Sequence, residues 1–323
     1  MLNSKLRCVD GMKNEAHYRF ENKMSEKTAI AWTDSTHNFW RGCTKISPGC
    51  ANCYAEKLVT TRLQGEWGKG KPRVRLKDFD RPIGWNKKPW ICNDCVEAFP
   101  DGQIQIHRHG NKEGQFHRRR VFSLSLGDIG DAEVPIELFH EAMIIVDKCR
   151  NLTWQLLTKR PADFQARWNE VCYHWGRTNW GRTNISLPAN VWMGVSVENQ
   201  ARADELIPQL LDIPAKIRFL SIEPMLEEID LEQYWPKIDW VIFGGETGPN
   251  ARPCNIEWIR DGIRQCQSHG VPIFVKQVGS NPIVPNIDRL FIAEHFRTFS
   301  DKKGGDMAEW PEDMRIRQFP QQS

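Results

Sequence analysis

Cys43, Cys50 and Cys53 fall within the stretch GCTKISPGCANCYAE, three thiols close enough in sequence to converge on one metal centre. Pro48-Gly49 supplies a tight turn that would fold the spacer between Cys43 and Cys50 back on itself. The number three is informative. A structural zinc ion or an ordinary iron–sulfur cluster takes four protein ligands, whereas three cysteines on a 4Fe–4S cluster leave one iron open to a small molecule. An open iron is a place for a reaction. The same cysteines also suit a zinc site completed by a distant His or Cys, or three unrelated positions in a core.

Other reactive groups stand at the ends of hydrophobic runs. LSLGDIGD carries Asp128 and Asp131, QLLTKRP carries Lys159 and Arg160, and GVSVEN carries Ser196, Glu198 and Asn199. FLSIEP adds Ser221 and Glu223, IFGGETG adds Gly244, Gly245 and Glu246, and IFVKQVG adds Lys276 and Gln277. Lys159, Glu198, Glu223 and Lys276 have the charges to fix carboxylate, ammonium, ribose or phosphate groups, and Lys159, Glu223 and Lys276 are the candidates to work on a substrate. Each would serve equally as a salt-bridge partner inside a barrel.

The elements that must position these groups follow from the hydrophobic pattern. Strands are expected at Ala29–Thr33, Arg120–Leu126, Thr153–Thr158, Val191–Val197, Ile217–Ile222, Trp240–Gly244 and Pro272–Lys276, with Arg73–Leu76 as a further short one. Between them, Ile136 to Lys148 and Ala203 to Leu211 carry apolar residues at helical spacing. Strand and helix in alternation predict a parallel sheet, and seven such runs predict an α/β fold built as a full or partial (β/α) barrel. The functional residues of such barrels gather at the carboxyl ends of the strands, so the charged run ends are expected to ring one mouth. The barrel would span residues 28–280. Residues 1–27 read as a loose polar extension in which Met24 is a second candidate start, and residues 281–323 as a C-terminal extension packed on the barrel, with MRIRQFP as a closing strand.

An insert at residues 86–119 interrupts the barrel. Its Cys92 and Cys95 have zinc-knuckle spacing, with His107, His109 and His117 following across an alternating QIQIHR hairpin, so zinc or another second metal would suit it. A polar hairpin with free cysteines is the alternative. His117-Arg118-Arg119-Arg120 adds positive charge that would meet a phosphate backbone or lie solvated.

Composition sets the outer limits. In 323 residues, 40% hydrophobic and 26% charged fits a globular enzyme and excludes a disordered chain. The net charge of +3 is compatible with nucleic acid without demanding it. Neither a signal peptide nor a membrane span is evident, so the expected compartment is the reducing cytoplasm, where clustered cysteines favour metal chemistry over disulfides.

In its cysteine loop the chain resembles the radical S-adenosylmethionine (SAM) enzymes, although their usual spacing is three then two residues and here it is six then two. It resembles more closely an uncharacterised phage- and prophage-associated three-Cys-motif family. That likeness runs from about Thr28 to Pro320 through WTDSTHNFWRGC, SPGCANCYAEK, LLTKRP, GVSVEN, RFLSIEPML, GGETGPNARP and KQVG. The resemblance implies a radical SAM-like barrel in which Cys43, Cys50 and Cys53 hold a 4Fe–4S cluster and SAM binds the open iron. Ser196, Glu198, Asn199, Gly244, Gly245 and Glu246 would contact SAM or substrate, the Gly244-Gly245-Glu246 run resembling the GGE element of those enzymes. It further implies a flavodoxin or ferredoxin as electron donor, a nucleobase or modified nucleotide as substrate, and a phage-encoded partner protein. The reading from a different class is a noncatalytic, metal-stabilised nucleic-acid-binding protein.

Overall fold

The computed structural model describes residues 28–104, 108–109, 112–113, 115–176, 185–283 and 300–321. Seven parallel strands lie side by side in chain order, β1 (Ser35–His37), β2 (Arg120–Ser123), β3 (Thr153–Thr158), β4 (Val191–Ser196), β5 (Ile217–Ile222), β6 (Trp240–Gly244) and β7 (Ile273–Gln277). Every neighbouring pair is parallel, and the sheet curls into a half-barrel with β1 and β7 at its open edges. Parallel neighbours need crossovers, and four of these are helical: α1 (Ile136–Lys148), α2 (Pro161–His174), α3 (Gln200–Asp212) and α4 (Ile256–Ser268). In β4 all six residues, VWMGVS, are buried, as expected of a strand covered on both faces.

The two faces divide by strand alternation. Val191, Met193 and Val195 of β4, with Leu220 and Ile222 of β5, meet the helices in the main core. The concave face instead carries Phe122, Trp192, Phe219, Trp240 and Phe274, closed over by Trp32 and Phe319. Gly194 permits this layer. A Cβ there would lie 2.5 Å from the Phe219 ring, so only glycine lets that ring lie flat against β4. The C-terminal segment pairs with β7 through Val275 N to Ile316 O at 2.9 Å and Gln318 N to Ile273 O at 2.7 Å, and so covers one sheet edge.

Two expected strands differ. Ala29–Thr33 is a turn, and β1 begins two residues later. The Thr33 hydroxyl accepts from Phe122 N at 3.1 Å and donates to Arg120 O at 3.0 Å, taking the ladder groups that a strand backbone would need. Within Arg73–Leu76, Val74–Arg75 forms an antiparallel ribbon with Trp40–Arg41, outside the main sheet. Among the described residues no helix is long and apolar enough to cross a membrane.

Candidate functional site

The cysteine loop leaves the carboxyl end of β1 and is fastened across the carboxyl ends of β3, β4 and β6. Pro48–Cys50 forms one 3-10 turn, with proline at its first position where a missing N–H costs nothing. Gly49 N, in that turn, donates to Glu198 Oε1 at 2.8 Å, and Glu198 is fully buried just past β4. A Cβ on Gly49 would fall 3.0 Å from the Glu198 carboxyl carbon, so glycine allows this approach. Past β6, Glu246 accepts from Asn52 at 2.9 Å and is gripped through both oxygens by Arg252, whose Nη1 donates to Pro48 O at 2.9 Å. Past β3, Arg160 donates to Thr44 O at 2.6 Å and to Cys43 Sγ at 3.6 Å.

Thr44 is held from a second side. Arg73 donates to its hydroxyl at 2.7 Å, and that hydroxyl donates to Glu133 at 2.8 Å. Both arginines are anchored in turn by carboxylates that follow β2, Arg73 to Asp131 and Arg160 to Asp128, each at 2.7 Å. The loop therefore sits on two buried arginine–aspartate pairs.

The strand-end residues form one connected network beneath it. Lys159 Nζ reaches Glu198 at 3.0 Å and Ser196 Oγ at 2.7 Å, and Ser196 Oγ donates to Glu223 O at 3.2 Å. Glu223 Oε1 accepts from Lys276 and, at 2.9 Å, from Gln277. Gly244 packs against Glu223, where a Cβ would lie 3.3 Å from its Cγ. At Gly245 a Cβ would fall 2.3 Å from Val278 O, so this glycine serves a close chain crossing. Lys159, Ser196, Glu198, Glu223, Gly244, Gly245, Glu246 and Lys276 thus share one rim with the cysteine loop. Asn199 does a different job: its side chain accepts from Arg202 N at 3.0 Å and caps α3.

Burial pushes the Cys43 thiol up to about 12, with Asp128 adding to the effect and Arg160 opposing it. Burial likewise raises Cys53. Cys43, Cys50 and Cys53 are free thiols, and among the described residues no three His, Cys, Asp or Glu side chains close around a single ion. A cluster asks for a different geometry, because each thiolate binds its own iron and the sulfurs stand further apart than around one ion. Three thiols on one loop, Cys50 near enough to act on Cys53 and Cys43 beside a guanidinium, are the type of donor such a centre takes.

The insert lies at the other end of the barrel. Trp90–Cys92 pairs with Ala98–Phe99 and with Phe116–Arg118, and His117 reaches Asn93 at 2.6 Å and Asp34, just before β1, at 3.0 Å. Both ring nitrogens of His117 are thereby engaged, Nδ1 by Asn93 and Nε2 by Asp34 and Arg120. Cys92 is buried and its Sγ lies 4.0 Å from Asp94 Oδ2. His107 lies outside the described residues, and of His109 only the backbone, in a two-residue ribbon with Lys112–Glu113, is described. The arginine run does not form a basic patch: Arg120 pairs with Asp34 at 3.0 Å, Arg119 is buried over Trp85, and Arg118 lies over Trp90.

Thr44, Asn52, Arg73 and Arg252 are the site residues that reasoning from the sequence passed over. Arg252 had a signal, six residues after Glu246 across the turn-forming GPN of GGETGPNARP. Arg73 and Thr44 had none, since their partners lie far along the chain. No curated protein and no solved structure matches the chain. A family model described as "Protein of unknown function (DUF5131)" matches residues 27–307, and the chain belongs to that family.

Proposed function

We propose that the protein is a radical SAM-type enzyme whose Cys43, Cys50 and Cys53 hold a 4Fe–4S cluster over the mouth of the half-barrel. The observation that carries this reading is the fastening of a three-thiol loop, through Arg160, Glu198 and Glu246, onto the charged carboxyl ends of parallel strands. With SAM bound and one electron taken from a low-potential donor, such a cluster would cleave SAM to methionine and a 5′-deoxyadenosyl radical able to abstract hydrogen from a substrate. The protein's own work is to orient and to exclude water. Glu198, Glu246 and Arg252 are spent on holding the loop, which leaves the half-buried Lys276–Glu223 pair facing the mouth. Glu223 already accepts two hydrogen bonds on Oε1, so its Oε2 faces a ligand that donates, and Lys276 faces one that accepts. A nucleobase edge or a ribose offers both. Below them the aromatic layer of Trp192, Phe219 and Trp240 closes the barrel against water.

The test is anaerobic purification with iron, sulfide and zinc analysis, followed by incubation with SAM and a low-potential reductant. About four irons per chain are expected, with release of 5′-deoxyadenosine, and Cys50→Ala should lose most of the iron and all cleavage. Full iron in Cys50→Ala, or zinc without iron in the wild type, overturns the reading; zinc in place of iron would favour a metal-stabilised binding protein.

A further inference from the structure

The guanidinium of Arg160 lies in hydrogen-bond contact with a cysteine of the loop, and it is unusually well fixed. Nη1 lies 3.6 Å from Cys43 Sγ and 2.7 Å from Asp128 Oδ2, while Nη2 donates to Thr44 O at 2.6 Å. Asp128 is itself immobilised, accepting from Thr158 Oγ1 at 2.5 Å, Gly130 N at 2.8 Å and Lys159 N at 3.1 Å. The backbone leaves little room for Arg160 to move away: a Cβ on Gly130 would lie 2.5 Å from Arg160 O. The guanidinium side chain is 9% exposed, so solvent screens it weakly.

One arginine could simply neutralise Asp128. A simple neutraliser has no need to reach the thiol, whereas this fork spans carboxylate, carbonyl and sulfur at once. An N–H donated to a ligand sulfur, and a buried positive charge beside it, both favour the more negative of two oxidation states. We propose that Arg160 is a positioning and tuning residue that sets the reduction potential at the Cys43 corner of the metal centre. The inference rests on the cluster reading. The step concerned is transfer of one electron from a low-potential donor of the flavodoxin or ferredoxin class: the donor is oxidised by one electron, the metal centre is reduced by one, and no bond or proton is exchanged.

The experiment is a mediated redox titration of the anaerobically reconstituted full chain, followed by the electron paramagnetic resonance signal of the reduced state. Arg160→Gln keeps hydrogen-bonding groups near Asp128 and removes the charge. At a fixed potential it should hold about tenfold fewer reduced centres than wild type, a shift to more negative potential of about 59 mV for one electron. Arg160→Lys keeps the charge and the Asp128 pair but is too short and too simple in shape to reach sulfur and carbonyl together. It should shift in the same direction by less. If Arg160→Gln takes up no iron, Arg160→Lys decides, and a wild-type midpoint in that variant overturns the inference. A wild-type midpoint in Arg160→Gln overturns it as well while leaving the cluster reading intact. A wild-type protein that binds no iron is a different result, which brings down the cluster reading and this inference with it.

Discussion

Glu198 ties the cysteine loop to the strand ends with two oxygens, one accepting from Gly49 N and the other facing Lys159. Burial opposes its ionisation, yet Lys159, Ser47 and Gly49 together hold its carboxyl below the usual glutamate range, and Arg252 and Asn52 do the same for Glu246 against its own burial. A carboxyl depressed in the folded state contributes stability that is complete above its ordinary value of 4.5 and is lost as pH falls through the lowered one. The loop should therefore loosen only in acid below that range. A hydrogen bond to a charged group is worth about 1.5–3 kcal/mol, so Glu198→Gln should raise the opened population about tenfold or more at neutral pH. The measurement is the rate at which dithiodipyridine labels the loop thiols of the metal-free protein. Wild-type labelling that does not accelerate in acid relative to the denatured chain at the same pH, or a Glu198→Gln rate equal to wild type, would show that this carboxylate does not hold the loop. Gly49→Ala tests the same joint from the other side. Its Cβ would press on the Glu198 carboxyl group, so labelling should accelerate there too.

At the scale of the strand, Gly194 and Phe219 form a directly paired position in which one side chain occupies the space the other lacks. Gly194→Ala inserts a methyl 2.5 Å from a fully buried ring, an overpacking that costs about 1–3 kcal/mol. Calorimetry should show a lower Tm, and Phe219→Leu in the same chain should recover part of it; a double variant less stable than either single one would exclude this contact as the cause. The strands themselves were readable because buried parallel strands are continuous apolar runs: Thr153–Thr158, Ile217–Ile222 and Trp240–Gly244 stand where the runs predict. Their ends were readable for the same reason, since polarity resumes where burial stops. Ala29–Thr33 misled because Trp32 is apolar for the aromatic layer and Thr33 spends its hydroxyl on β2, neither of which leaves a periodic trace. The pairs that hold the cysteine loop, Arg73 with Asp131 and Arg160 with Asp128, join residues 58 and 32 apart and have no local pattern to betray them.

For the whole molecule the decisive fact is polarity of the barrel. The three-cysteine loop and the charged rim lie at the carboxyl ends of the strands, whereas the insert with Cys92 and Cys95 reaches Asp34 and Arg120 at the amino ends. Both cysteine groups carry metal-like spacing in the sequence, and only the fold separates them. Chemistry at the mouth should then be insensitive to damage in the insert. Cys92 is fully buried, so Cys92→Ser places a hydroxyl where a thiol was accommodated, at a cost of about 1–3 kcal/mol if it finds no partner. That cost should appear as faster proteolysis within residues 86–119 and, should the insert carry zinc, as less of it. Iron content and the visible spectrum should match wild type. Cys50 is only half-buried, so Cys50→Ala should do the reverse, losing iron with little change in the Tm of the metal-free protein. Loss of iron in Cys92→Ser, with its fold intact by circular dichroism, would mean that the two ends of the barrel communicate and that the cysteine loop is not a self-contained metal centre.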